Sequence, residues 1–132
     1  MEYERKTVDV GSLKVGSFVI IDDAPCRVTD IKTSSTGKHG HAKARVEAVG
    51  IIDGKKRVIV APTHEKISVP IINKRDGQVI HLRGEYADVM DLESFETFEL
   101  KVPEELKDKL YEGAQVIYWE VMGYKLLKEV RS

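Results

Sequence analysis

The chain is poor in the residues that would place it in several common classes. It has one cysteine, Cys26, in 132 residues. One thiol excludes an internal disulfide framework and fits a reducing compartment. No apolar run approaches the ~18 residues that cross a bilayer as a helix. The start, Met1-Glu2-Tyr3-Glu4-Arg5, has neither the basic opening nor the apolar stretch of a secretory signal. A cytoplasmic location without membrane attachment is therefore expected. Charge of one sign is also missing. Lys+Arg number 21 and Asp+Glu 22, for a net charge of -1, which excludes a uniformly basic, histone-like polycation. No Gly/Ser-rich linker, internal repeat or low-complexity tract is present.

The balance of charge hides a polarity. Residues 1–70 carry 12 Lys/Arg and 9 Asp/Glu, a net of +3, while residues 71–132 carry 9 and 13, a net of -4. Between Lys32 and Arg45 there are four cations (Lys32, Lys38, Lys43, Arg45), two histidines (His39, His41) and no acid. Between Glu85 and Glu99 there are six acids and no cation. A near-neutral total is thus compatible with one cationic tip that meets a polyanion.

Short strands with frequent turns dominate. Phe18–Ile21, Cys26–Thr33, Ala42–Ile52, Arg57–Ala61 and Lys66–Val69 read as strands. In the third, Ala42, Ala44, Val46 and Ala48 alternate with Lys43, Arg45 and Glu47. Asp22-Asp23-Ala24-Pro25 reads as a turn that ends the first strand, and Asp53-Gly54 as a tight hairpin turn with both central positions left-handed. Residues 12–70 are expected to form a small antiparallel barrel of about five strands. In the second half Val79–Arg83, Tyr86–Leu92, Phe95–Lys101, Val116–Met122 and Tyr124–Val130 read as strands, with a break at Arg75-Asp76-Gly77. Pro103 to Gly113 has proline in its first turn, acids after it, leucines four apart and a terminal glycine, and predicts a short helix. Three strands, a helix and two strands is the order of an OB-fold. The expected fold is all-β. An SH3-like barrel spans 1–70 with a loop at about 33–43, and an OB-fold with one short helix spans 71–132.

The segment Thr33-Ser34-Ser35-Thr36-Gly37-Lys38-His39-Gly40-His41-Ala42-Lys43 is too long and polar for a minimal hairpin. Glycines on both sides of Lys38 allow close backbone approach to another surface. With strand pairing ending near Ser34 and His41, the tip would stand on the order of 10 Å off the barrel. A phosphate-binding P-loop is excluded, because position 32 is Lys rather than Gly and position 39 is His rather than Ser or Thr. His39 and His41 lack the further ligands of a metal site, so no metal is expected. Trp119, on the Ile117/Val121 face of its strand, reads as a core residue rather than a base-stacking one. Cys26 reads as a small buried hydrophobe, and His64 and His81 as structural.

Ser34-Ser35-Thr36-Gly37-Lys38-His39-Gly40-His41-Ala42-Lys43 resembles the hypusine loop of the translation initiation factor 5A family. The similarity runs over essentially the whole chain, including Pro62-Thr63-His64 and Val69-Pro70. With no longer acidic N-terminal extension, it is similar to archaeal rather than eukaryotic members. Ser35 departs from the lysine frequent in eukaryotic ones.

The resemblance implies a non-enzymatic factor with no catalytic residue. Deoxyhypusine synthase would add a spermidine-derived aminobutyl group to Lys38, giving deoxyhypusine or, after hydroxylation, hypusine. No other cofactor is implied. Ser35, Thr36, Gly37, His39, Gly40 and His41 would shape the loop or aid recognition. Lys32, Lys43 and Arg45 would contact RNA phosphates. The implied partner is the ribosome, through rRNA, peptidyl-tRNA and ribosomal proteins, with the factor acting as a monomer. It would promote peptide-bond formation on stalled complexes such as those at proline runs. The competing reading is a general RNA-binding or RNA-chaperone module acting through an unmodified basic loop. A third reading, an enzyme with Lys38 as nucleophile, needs a desolvated lysine and suits an exposed Gly-flanked loop poorly.

Overall fold

The computed structural model describes residues 3–35 and 42–131. The chain divides into two compact units, Met1–Ile71 and Ile72–Ser132.

The first unit holds six strands: β1 (Arg5–Asp9), β2 (Phe18–Ile21), β3 (Ala24–Ser34), β4 (Lys43–Gly50), β5 (Lys56–Pro62) and β6 (Lys66–Pro70). β2-β3-β4-β5 form one antiparallel sheet, and β1 pairs with β6 in a second. Together they make a small SH3-like barrel. The alternation in β4 is realised: Ala44, Val46, Ala48 and Gly50 are buried, and Lys43 and Arg45 are exposed. Cys26, Val28 and Val46 join Val10 and Val19 in the core. β1 is a strand that patterning did not show. Its sequence is RKTVD, and among its residues only Val8 packs on the core, so it carries no alternating signal.

The two turns exchange roles. Asp22 and Asp23 both take positive φ, 53° and 58°, and join β2 to β3 in a two-residue hairpin. Asp53-Gly54, expected as the tight turn, lies in a five-residue connection where only Gly54 is left-handed (φ 70°). Asp53 has another task there. Its carboxylate accepts from both terminal nitrogens of Arg57, at 3.1 and 2.8 Å, and from the Lys55 N–H. These bonds, foremost those from Arg57, hold the Asp53 carboxyl well below the usual carboxylate range. A Cβ at Gly50 would lie 2.1 Å from Asp53 Oδ1, so the Asp53 carboxylate keeps this position only beside glycine and would have to shift for any larger residue.

The second unit holds β7 (Ile72–Arg83), β8 (Tyr86–Asp91), β9 (Thr97–Lys101), β10 (Gln115–Val121) and β11 (Tyr124–Arg131), in the sheet order β11-β10-β7-β8-β9. The sheet curls into the OB-fold barrel. Three expectations are corrected. First, β7 runs unbroken through Arg75-Asp76-Gly77. Gly77 serves close packing there: an added Cβ would meet Val89 Cγ1 at 2.7 Å and crowd Tyr118 at 3.4 Å. Second, β9 begins at Thr97, because Phe95 sits in the preceding turn at φ 62°. Third, the expected helix over 103–113 is a single 3-10 turn, Glu104–Leu106. Leu106 is buried and Leu110 packs against the core as expected. The Gly113 N–H, however, donates to the Val79 carbonyl, and Val79 N–H to Ala114. The segment is thereby tied to β7 before a longer helix can propagate.

Asp91 is the one buried charged residue among those described, 2% exposed. Its carboxylate accepts from the Tyr118 hydroxyl and from the backbone N–H groups of Glu93 and Ser94, both at 2.8 Å. This set fixes the β8–β9 connection and ties it to β10. The bond from Tyr118 and those from the backbone lower the Asp91 pKa to about 2, while burial pushes the Tyr118 phenol up.

Two outcomes follow for stability. Gly77→Ala lowers the unfolding free energy by about 1–3 kcal/mol through overpacking, measured by denaturant titration. Asp91 has a folded pKa below its ordinary 3.8, so its stabilisation is complete above that value and is lost as pH falls toward 2. Roughly 2 kcal/mol disappears in that window, and Asp91→Asn removes this part of the acid sensitivity in pH-dependent melting.

Candidate functional site

The β3–β4 hairpin positions the segment around Lys38. Ser34 pairs with Lys43, Thr33 with Ala44 and Lys32 with Arg45. Regular pairing therefore ends at Lys43, two residues later than expected. Residues 35–42 form the connection. Of the residues singled out from sequence, Thr36, Gly37, Lys38, His39, Gly40 and His41 lie outside the described residues. Ser35, at the start of the connection, is exposed.

A bulge between Val28 and Asp30 sets which residues face outward near the connection. Thr29 is the extra residue, and its hydroxyl donates to the Glu47 carbonyl at 3.2 Å. Beyond the bulge Ile31 packs on the core, while Lys32 and Ser34 lie on the other face, beside Arg45 and Lys43. Three cations thus stand together at the base of the connection.

They are not equivalent. Arg45 Nη1 donates to Glu47 Oε1 at 2.8 Å, and Lys56 Nζ lies 3.6 Å from the same oxygen. Hydrogen bonding to Arg45 lowers the Glu47 carboxyl below its usual range. The acid-free run read along the chain therefore acquires an acid in space, since Glu47 follows Arg45 by two residues on the same strand face. Among the described residues neither Lys32 nor Lys43 has an ion-pair partner. The exposed Val58 and Val60 lie next to Glu47 and Arg45 in register.

A second segment braces the base. The Thr63 N–H donates to the Ala42 carbonyl at 2.9 Å, and the Thr63 carbonyl accepts from the Gly11 N–H at 2.9 Å. A Cβ at Gly11 would lie 3.0 Å from Thr63 Cβ and 3.2 Å from its carbonyl oxygen. Gly11 and Thr63 thus hold the β4 end of the connection. Sequence reasoning passed over both, because the link joins residues about fifty positions apart and leaves no local pattern. Pro62-Thr63-His64 was noted only for its resemblance.

Other candidates are structural. Burial, more than any other cause, pushes the Cys26 thiol up, which disfavours the reactive thiolate. His81 Nδ1 lies 2.8 Å from Glu112 Oε2. Among the described residues no group of three or more His, Cys, Asp or Glu is placed to hold a metal ion. No helix among the described residues is long and apolar enough to cross a membrane. A pocket of about 220 Å³ in the second unit lies among Arg75, Asp91, Phe98, Tyr118, Glu120 and Lys125. Both of its cations face Glu120, Arg75 Nε at 3.3 Å and Lys125 Nζ at 3.8 Å.

Trp119 is not part of the core. It is half-buried, outside the cluster of Val79, Val89, Val116, Tyr118 and Leu127, on the opposite face of β10 from Tyr118. The reading of Trp119 as a core residue is thereby corrected. Lys74 Nζ lies 5.1 Å and Lys128 Nζ 4.6 Å from the centre of its ring.

Comparison with known proteins gives a consistent result for both units. Residues 4–65 match the family described as Translation initiation factor 5A-like, N-terminal. Residues 71–131 match the one described as Eukaryotic elongation factor 5A hypusine, DNA-binding OB fold. The chain is 48% identical over 126 residues to translation initiation factor 5A of Archaeoglobus fulgidus, covering 96% of this chain and 98% of that protein. It is 52% identical over 124 residues to the Pyrococcus furiosus factor, covering 91% and 90%. The solved structure of the factor from Methanococcus jannaschii superposes with a TM-score of 0.91 at 46% identity, over 96% of this chain and 95% of that one. A Naegleria fowleri family protein gives 0.75 at 34% identity, over 98% and 100%.

The brace at the base of the connection makes a prediction. Gly11→Val, which forces Thr63 away, lowers thermal stability and speeds hydrogen exchange of the Thr63 amide, read by thermal melting and by exchange at a temperature where the variant is still folded.

Proposed function

This chain belongs to the translation initiation factor 5A family, and on that premise we propose that it acts on the ribosome through a modified Lys38. The observation that carries the reading is the full-length family match, combined with the position of Lys38 in the connection between the paired ends Ser34 and Lys43. The described ends of that connection fit an exposed cationic group. Ser35 and Lys43 are exposed, and neither Lys32 nor Lys43 is ion-paired among the described residues.

On this reading deoxyhypusine synthase transfers an aminobutyl group from spermidine to Lys38 Nζ: the bond from the butyl carbon to spermidine's secondary nitrogen breaks, a bond to Nζ forms, and 1,3-diaminopropane leaves with the proton that Nζ gives up. The original nitrogen stays basic, and the group supplies a second amine and a longer reach. The chain's own part is to hold and aim this arm. The β3–β4 register sets where the connection leaves the barrel, and the Gly11–Thr63–Ala42 hydrogen bonds fix its returning end. Lys32 and Lys43 contact phosphates on either side, while Arg45 restrains Glu47. The partner surface is the polyanionic ribosomal channel beside the peptidyl-tRNA. The ribosome performs the chemistry and the factor contributes positioning of a stalled substrate. On this reading the protein has no catalytic residue.

Intact-mass analysis of protein from its native host is expected to show the aminobutyl addition on the peptide containing Lys38, with or without one further oxygen. An unmodified Lys38 in that material refutes the reading in favour of a basic loop acting unmodified. Lys38→Arg retains charge and fold but loses modification and the rescue of proline-stalled ribosomes in reconstituted translation. Full rescue by that variant refutes the mechanism.

A further inference from the structure

The second unit carries a net charge of -4 over residues 71–132, but its charge is segregated by face. On the outward side of β8 and β9, Asp88 and Glu99 are register partners and share one guanidinium, Arg83 Nη2. Strands two and three of an OB-fold usually face the nucleic acid. Here its two acids, Asp88 and Glu99, already engage Arg83, the exposed Lys101 stands beside them, and the face has no net positive charge to offer a polyanion.

The outward side of β7, β10 and β11 is different. Trp119 is flanked in register by Lys74 on β7 and Leu126 on β11. A bulge between Ile117 and Tyr118 places Lys128 as the extra residue of β11, because Ile117 pairs with Glu129 and Tyr118 with Leu127. Lys128 Nζ comes to 4.6 Å from the Trp119 ring centre and Lys74 Nζ to 5.1 Å. Among the described residues neither lysine has an ion-pair partner. Of the neighbouring charges on that face, Arg131 lies 2.9 Å from Asp76, and Glu129, in register with Ile117, is the one acid without an ion pair among the described residues, which leaves the face with a net positive charge. An aromatic ring between two uncompensated cations, set on long flexible stems, has the parts of a stacking platform for a single strand: a π-face for a base and ammonium groups for the adjoining phosphates.

We propose that Lys74, Trp119 and Lys128 form a binding site for single-stranded RNA on the outer face of the second barrel, separate from the β3–β4 hairpin. The two lysines leave the indole for phosphates as a base takes their place against the ring. That the strand is RNA rests on the translational reading above. The site itself rests on the geometry of β7, β10 and β11. It serves as a sequence-tolerant second contact, modest in strength because it holds one base and two phosphates.

Trp119 is the only tryptophan in the chain, so the site carries its own reporter. Titration of the full chain with a uridine dodecamer is expected to quench tryptophan fluorescence to saturation. With a fluorescein-labelled dodecamer followed by anisotropy, the double variant Lys74→Gln/Lys128→Gln binds about tenfold more weakly. Its slope of log affinity against log salt is shallower by about 1.4, the value for two lost phosphate contacts on a single strand. Trp119→Phe retains more affinity than Trp119→Leu, since only the former keeps a stacking ring. Melting curves confirm that the lysine variants fold. Unchanged fluorescence at saturating oligonucleotide overturns the proposal. So does a double lysine variant with unaltered affinity and slope, or loss of binding in Lys38→Ala while Lys74→Gln/Lys128→Gln binds normally. None of these results bears on the mass of the Lys38 peptide, so failure here is distinguishable from failure of the translational reading.

Discussion

The register of the β3–β4 hairpin is the constraint on which the first unit depends. Side chains alternate across a strand, so a slip of one residue would send Ala44, Val46 and Ala48 to solvent and Lys43 and Arg45 into the core. The Val28/Asp30 bulge adds one residue to β3 and reverses its facing beyond that point. Ile31 thereby reaches the core while Lys32 and Ser34 join Arg45 and Lys43 outside. The same pairing fixes Ser34 and Lys43 as the two ends between which Lys38 is carried. At the other end of the hairpin, Asp53 and Arg57 close against Gly50, where a Cβ would displace their side chains. One end of the hairpin is thus tied by an ion pair. Among the described residues the other is braced through backbone hydrogen bonds from Thr63 and Gly11.

The second unit meets a comparable problem with glycine and a buried carboxylate. Gly77 lets β7 pass close beneath Val89 and Tyr118. Tyr118 then reaches Asp91, whose second oxygen organises the turn into β9. A buried charge is tolerable only when it is fully hydrogen-bonded, and Asp91 meets that condition with one hydroxyl and two backbone donors. The packing of the sheet and the shape of a distant turn are therefore one network.

Much of the architecture was legible. The strands with clean alternation or turn-bounded apolar runs, β2, β4, β5, β8, β10 and β11, lie within two or three residues of their expected limits. The all-β class and the barrel types followed from their order. The misses share a cause. β1 has almost no apolar face of its own and exists because β6 pairs with it. Gly77 looks like a turn residue because glycine has two uses, and only a neighbour such as Val89 decides between them. Leucines four apart suggested a helix in 103–113, but hydrogen bonds from Gly113 and Val79 held the segment to a single 3-10 turn. Trp119 was placed on the correct face of its strand. Which face points inward depended on Tyr118, and that was a matter of the curl of the sheet.

By itself, the sequence determined the family, the two-barrel organisation and the identity of Lys38 as the residue of interest. Those depend on residue types in order, and order is what a chain carries. It also determined that the charge is polarised, +3 against -4, beneath a total of -1. Only the tertiary structure decided which charges remain available. Glu47 folds beside Arg45 and Lys56, Arg83 is shared by Asp88 and Glu99, and Lys74 and Lys128 converge on Trp119 from different strands. Electrostatic partners are chosen by distance in space, and strand pairing brings together residues that the sequence holds more than fifty positions apart.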